Sequence, residues 1–194
     1  MTGSFHVRLA TIADATGIAR VHIDTWLTTY RGIVPDTFLE KFLRPDAYEK
    51  RAAKWVDIFE GKVAESTGAT FVALDARGGI IGFSSGGPER EKDPDYHGEL
   101  YAIYLLASHQ GKGIGRQLAC EVARYLSGSG FHNMLVWVLE KNPACRFYEA
   151  LGGLPVRQKK VDFGGSLLNE VGYGWKDLSS LLTPVSPPAP HRTP

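Results

Sequence analysis

One heptapeptide constrains this chain more than any other stretch: Gln110-Gly111-Lys112-Gly113-Ile114-Gly115-Arg116. It follows an almost wholly apolar run, residues 99–106, and precedes a segment carrying Leu118, Val122 and Leu126 at helical spacing. A strand covered on both faces, a tight glycine turn and an amphipathic helix form an α/β unit, so all-helical and all-strand architectures drop out. The opening turn of a helix leaves backbone N–H groups unpaired and carries roughly half a positive charge, which suits an anion. Glycines remove the Cβ atoms that would hold a phosphate away. Lys112 and Arg116 add charge at the rim. The P-loop is excluded, because Leu106 stands where its first glycine is needed and Gly113 follows Gly111-Lys112 in place of Ser or Thr. The Rossmann spacing also fails, since its third glycine falls on Arg116 or Leu118. A turn that merely packs a helix closely on a strand is the alternative without a ligand.

The rest of the chain reads as one domain. Phe5-His6-Val7-Arg8-Leu9 alternates as a half-buried strand, and Thr11-Ile12-Ala13-Asp14 forms a capping box for the helix that follows. Pro35-Asp36 opens a second helical region, and a third runs from about Pro45 to Gly61. From residue 70 the character changes. Two β-branched and aromatic runs flank Asp75-Ala76-Arg77-Gly78-Gly79 as a hairpin, and a charged loop spans 86–98. After the glycine turn come a strand at 134–138, a helix at 143–151 and a final hairpin turning at Gly164-Gly165. The pattern predicts an α/β fold. Its sheet is mixed and mostly antiparallel, with helices on both faces. Residues 1–178 form the expected domain; 179–194, rich in proline, form the expected disordered tail.

Composition narrows the function. Lys plus Arg number 22 against 21 Asp plus Glu, so no global field draws in nucleic acid or an anionic membrane, and neither is an expected partner. Met1-Thr2-Gly3-Ser4 lacks a signal-peptide pattern, and no apolar run reaches the roughly 18–20 residues of a membrane span. A cytoplasmic protein is expected. Cys120 and Cys145 cannot build a disulfide framework or a four-cysteine zinc site, and the six histidines form no His-x-x-x-His pair, so no metal is expected.

Gln110-x-x-Gly113-x-Gly115 after an apolar strand resembles the acyl-CoA pyrophosphate loop of the GNAT superfamily of N-acetyltransferases. Asn142-Pro143-Ala144-Cys145-Arg146-Phe147-Tyr148-Glu149-Ala150-Leu151-Gly152-Gly153 resembles that superfamily's next helix motif. The resemblance spans about residues 5–176 and implies two central parallel strands, 99–106 and 134–138, splayed apart to admit acetyl-CoA as co-substrate. It implies that the backbone near Leu105 and Leu106 pairs with the pantetheine arm. Gln110, Gly111, Lys112, Gly113, Ile114, Gly115 and Arg116 would hold the pyrophosphate, Asn142 would bond the pantetheine, and Tyr148 would stand near the thioester sulfur.

Acetyl transfer needs a neutral amine, and an alkyl amine of pKa near 10.4 is only about 0.04% neutral at pH 7. Glu99, at the start of the strand, is the candidate base acting through water; Tyr148 is the candidate acid. A strand N–H around Leu105 is the candidate oxyanion donor. The expected activity is transfer to a primary amine of a small molecule or peptide, directly, in a ternary complex. Two other readings stay open: a non-catalytic acyl-CoA-binding domain and a nucleotide-binding module. Glu89, Glu91, Asp93 and Asp95 form either a solvated excursion or a lure for a cationic amine. Trp26 and Tyr30 read as core or as a substrate clamp. Pairing of two copies through the terminal hairpin, as a homodimer, is compatible with the sequence.

Overall fold

A computed structural model describes residues 4–63 and 68–183. The chain opens with β1 (Phe5–Leu9) and reaches α1 (Ala15–Thr29) through a tight turn, Ile12–Asp14. The capping box forms as the sequence predicts. Asp14 Oδ2 accepts from Thr11 N at 2.8 Å, and the Arg8 guanidinium grips the same carboxylate at 2.7 and 2.8 Å. That grip holds the Asp14 carboxyl down at about 2. Two helices follow, α2 (Asp36–Leu39) and α3 (Ala47–Phe59), and α3 packs along α1. The strands β2 (Ala69–Asp75), β3 (Ile80–Pro88) and β4 (Gly98–Leu105) then form a meander. The glycine turn leads into α4 (Ile114–Gly128), then β5 (Met134–Leu139), α5 (Ala144–Ala150), β6 (Leu154–Asp162) and β7 (Leu167–Trp175).

All seven strands form one sheet in the order β1-β2-β3-β4-β5-β7-β6. Every pairing is antiparallel except β4 with β5. That pair meets only at Gly98↔Met134 and Glu99↔Leu135, and beyond it the two strands part. A bulge sharpens the divergence: Ser85 faces Ala102 and Gly86 faces Leu100, so Tyr101 has no partner across the ladder. Helices cover both faces. Leu118, Val122 and Leu126 of α4 pack with Met134, Val136, Val138 and Tyr148 on one side. On the other, Ile18 and Val21 of α1 pack with Trp55 and Phe83, and Ile23 with Phe42 and Leu139.

The folded chain runs past residue 178. Ser179–Leu182 form a short helix, α6, whose Leu181 is buried against the α4 side of the core, and Cys120 Sγ donates to Leu181 O at 3.2 Å. The start of the expected tail therefore belongs to the packed domain, because a leucine pair interrupts its polar composition. The remainder of that tail, residues 184–194, lies outside the described residues. Among the described residues no helix is long and apolar enough to cross a membrane.

Candidate active site

The parting of β4 and β5 opens a cleft of about 800 Å³. The C-terminal end of α1, the glycine turn and the start of α5 close around it. β5 spends one edge on β7 throughout its length, while the edge it turns toward β4 is paired only at the strand start. On β4, Leu106 N donates to Ile81 O at 3.0 Å, so strand alternation turns the N–H groups of Ile103 and Leu105 into the gap. Two backbone edges thus face each other with no partner between them, as a peptide-like arm requires. Leu105 turns its N–H into the gap. Leu106 does not, because its N–H belongs to the ladder with β3.

At the turn, Gly111 and Gly113 adopt φ of +73° and +82°, and a Cβ at either would meet nothing within 4 Å. The left-handed conformation is what glycine supplies there, and the open space is what an approaching anion needs. The first helical bond of α4 runs from Gln117 N to Gly113 O at 3.1 Å, so the N–H groups of Ile114, Gly115 and Arg116 point outward without an intrahelical acceptor. Gln110 Nε2 ties the turn to the strand end by donating to Leu105 O at 3.2 Å. Ile114 is buried, so it offers the site only its backbone. Lys112 bends back to Ser108 O at 2.8 Å, and Arg116 donates to Thr183 O at 3.2 Å. Both cations are tethered at the rim.

Tyr148 and Asn142 stand on the opposite wall. Tyr148 is 5% exposed, with its ring tilted against Tyr173 and edge-on to Trp175, and its Oη has no hydrogen bond to any described residue. Burial pushes its phenol well above the ordinary range, so it stays protonated at neutral pH. Asn142 Oδ1 accepts from Ala144 N at 2.9 Å, capping α5, and its amide faces the Tyr30 phenol.

Glu99 lies apart from the cleft. It sits at the closed end of the β4–β5 pair, 2% exposed, and does not line the cleft. Arg90 holds both carboxylate oxygens, Nε to Oε2 at 2.9 Å and NH2 to Oε1 at 2.5 Å, and the Arg90 backbone N–H adds a third bond at 3.2 Å. A carboxylate gripped this way anchors the 86–98 loop. The acidic loop is likewise committed: Asp93 and Asp95 take the Arg157 guanidinium, Glu91 takes Lys159, and Glu89 accepts the backbone N–H groups of Glu91 and Asp93. Three of its four carboxylates are paired with cations of β6, which ties the loop to that strand.

Sequence reading weighed Tyr30 as a clamp and missed three residues of the cleft, Tyr104, Thr25 and Trp137. Tyr30 and Tyr104 line it, the latter taking Trp26 Nε1 on its hydroxyl at 3.1 Å, so Trp26 supports the wall from behind. Thr25 Oγ1 and Trp137 Nε1 also belong to the lining, and both are buried without a hydrogen-bond partner. Buried polar atoms are rarely left unmet, so two orphans in one cleft mark where a ligand belongs. No local pattern betrays them, since an unmet hydrogen bond is a property of the folded chain. Burial raises the thiols of Cys120 and Cys145, which makes neither a ready nucleophile. Among the described residues no three His, Cys, Asp or Glu side chains gather as a metal site.

A sheet parted at its one parallel pair, a glycine turn of outward N–H groups and an unpartnered tyrosine across the gap define the acyl-CoA-dependent N-acetyltransferase class. Residues 36–153 match the model of the Acetyltransferase (GNAT) family, and the chain belongs to that family. It is 41% identical over 177 residues to the uncharacterized N-acetyltransferase YuaI of Bacillus subtilis (strain 168), covering 91% of this chain and 96% of that protein. Among solved structures, PaiA N-acetyltransferase from Thermoplasma acidophilum in complex with coenzyme A superposes with a TM-score of 0.64 at 22% identity. The match covers 86% of this chain and 98% of that one. YncA from Salmonella typhimurium with its cofactor acetyl-CoA gives 0.64 at 22%, covering 96% and 99%. At such identities the likeness speaks for the fold. The expected fold class and family hold.

Proposed function

We propose that the protein moves acetyl from acetyl-CoA to a primary amine of a small molecule or peptide by direct attack within a ternary complex. The observation that carries this reading is the juxtaposition of the unpaired backbone edges of β4 and β5 with the free Tyr148 hydroxyl. The co-substrate supplies an activated acetyl thioester. The chain's own groups do the rest. The N–H groups of Ile114, Gly115 and Arg116 bind a diphosphate, and those of Ile103 and Leu105 receive the amide-bearing arm or an oxygen gaining charge. Tyr148 gives its proton to the departing sulfur. Tyr30, Tyr104 and Trp137 wall the acceptor side and exclude water.

No carboxylate lines the cleft among the described residues, so the amine proton leaves through water. Glu170 replaces Glu99 as its acceptor in this reading. It lies on the same face of the sheet as Trp137: Trp137 is opposite Gly172 on β7, and Glu170 is the next residue of β7 on that face. Lys159 contacts it only at 3.9 Å and is drawn more closely to Glu91. Burial raises the Glu170 carboxyl, which suits a base working near neutrality.

Thiol release from acetyl-CoA over a panel of amines tests the activity, and two variants test the base. Glu170→Gln lowers kcat/KM by about 10²-fold and removes the acidic limb of the pH profile, which in the parent falls as protons return to this raised carboxyl. Glu99→Gln keeps that limb and instead costs about 1–3 kcal/mol of stability by breaking the Arg90 grip. A limb lost in Glu99→Gln and kept in Glu170→Gln reverses the assignment. Absence of thiol release with every amine, alongside intact CoA binding, favours the non-catalytic acyl-CoA-binding reading.

A further inference from the structure

Away from the cleft, the segment after α2 and the first turns of α3 enclose a second hollow of about 260 Å³. Five cations line it: Lys41, Arg44, Lys50, Arg51 and Lys54. The single carboxylate in the lining is Asp46, and Lys50 already holds it at 2.6 Å. Lys41, Arg44, Arg51 and Lys54 form no ion pair with any described residue.

Such crowding is unfavourable for an unliganded protein. Like charges repel, and a cation drawn out of water without a partner loses hydration with nothing in return. Arg51 is partly buried, with its guanidinium 5.9 Å from the Phe42 ring. Lys41 lies 3.3 Å from the Phe38 ring centre, and its ammonium is pulled down by burial first, then by Arg51 and Lys54. On the inner side, His22 is held neutral, at about 3, by burial and then by the same Arg51, Lys54 and Lys41. Its Nδ1 is buried with no hydrogen-bond partner. One anion in the hollow would relieve the four cations that lack an ion-pair partner, Lys41, Arg44, Arg51 and Lys54.

We propose that this hollow is an anion-binding site for the phosphate or diphosphate group of a small molecule, separate from the CoA-binding turn. The concavity favours a compact anion over a nucleic-acid backbone: the cations converge on one hollow, whereas a duplex needs them spread along a groove. The floor connects to the acceptor side. The Phe42 and Trp26 ring centroids lie 5.1 Å apart, and Trp26 stacks on Tyr30 at 4.1 Å, so a row of three rings runs from the hollow to a wall of the cleft.

The test is calorimetric titration with inorganic phosphate and with pyrophosphate at constant ionic strength, on protein saturated with CoA so that the glycine turn is filled. Saturable binding at or below ~10 mM is expected, since that corresponds to a few kcal/mol for a small ligand. The double variant Arg51→Gln, Lys54→Gln weakens it about tenfold or more and leaves CoA affinity unchanged. Because Lys54 is exposed and neither Lys54 nor Arg51 forms an ion pair with a described residue that the change would break, the variant is expected to fold, and an unchanged melting curve checks this. Lack of saturable binding in the parent, or equal binding by the variant, overturns the proposal. Stronger capture of a short DNA duplex than of pyrophosphate, lost in the same variant, also overturns it in favour of nucleic acid.

Discussion

Tyr148→Phe lowers kcat by about 10²-fold or more and leaves CoA affinity within about twofold, the range expected when a general acid is removed. The prediction separates chemistry from packing. Tyr148 is buried, and its ring contacts Phe147, Tyr173 and Trp175, all of which the phenylalanine keeps. Its hydroxyl bonds to no described residue, so deleting it breaks nothing inside the fold. Melting temperature therefore stays level or rises slightly, because a polar group without a partner leaves a buried position. A purely structural tyrosine would show turnover at the parental rate in the variant, and that result removes Tyr148 from the mechanism. Burst and steady-state measurements with one reactive amine, paired with a CoA titration, decide between the two.

Gly113→Val abolishes CoA binding, by about 10²-fold at least. Gly113 has φ of +82°, where a β-branched residue is strained by about 1–3 kcal/mol, and the turn must shift to relieve it. The protein itself leaves room, since no atom lies within 4 Å of the added Cβ. In the proposed reading that room receives the anion. The damage thus falls on backbone conformation and ligand approach, and a variant that stays folded still loses the site. Gly115→Val is a useful contrast: its Cβ would meet Phe147 at 3.1 Å, so packing of α4 on α5 suffers along with binding. A folded Gly113→Val protein with parental CoA affinity refutes the turn as the diphosphate site.

Much of this architecture was legible in the residues. Alternation at Phe5–Leu9, the Thr11–Asp14 box and the glycine turn are local statements, and each element begins and ends near where those signals stand. The departures have physical causes. β3 continues to Pro88, past the predicted loop start at 86, because its ladder with β4 continues through the bulge: Gly86 faces Leu100, and Gly87 and Pro88 face Glu99 and Gly98. The leucines of α6 find the α4 side of the core, which no window confined to residues 179–194 reveals.

At the site, residues tied to the turn were readable because glycine spacing and helix starts carry their own chemistry. The burial of Glu99 has a cause that sequence cannot disclose. Its partner Arg90 lies nine positions away across a loop, and the fork between them exists only once β3 and β4 pair. Glu170 carries no local signal either, since a lone charged residue in a terminal hairpin does not show that β7 is an inner strand between β5 and β6. Thr25 and Trp137 show the same limit from the other side.

The central claim is that the gap between β4 and β5, with the turn at its mouth, receives the CoA moiety. Backbone hydrogen exchange, residue by residue, with and without CoA, tests it most directly. The account predicts at least tenfold slower exchange on binding at the amides of Ile103, Leu105, Ile114, Gly115 and Arg116, with the amides of the α3 hollow unchanged. Equal exchange at those five positions in the two states, with protection arising elsewhere in the chain, contradicts it.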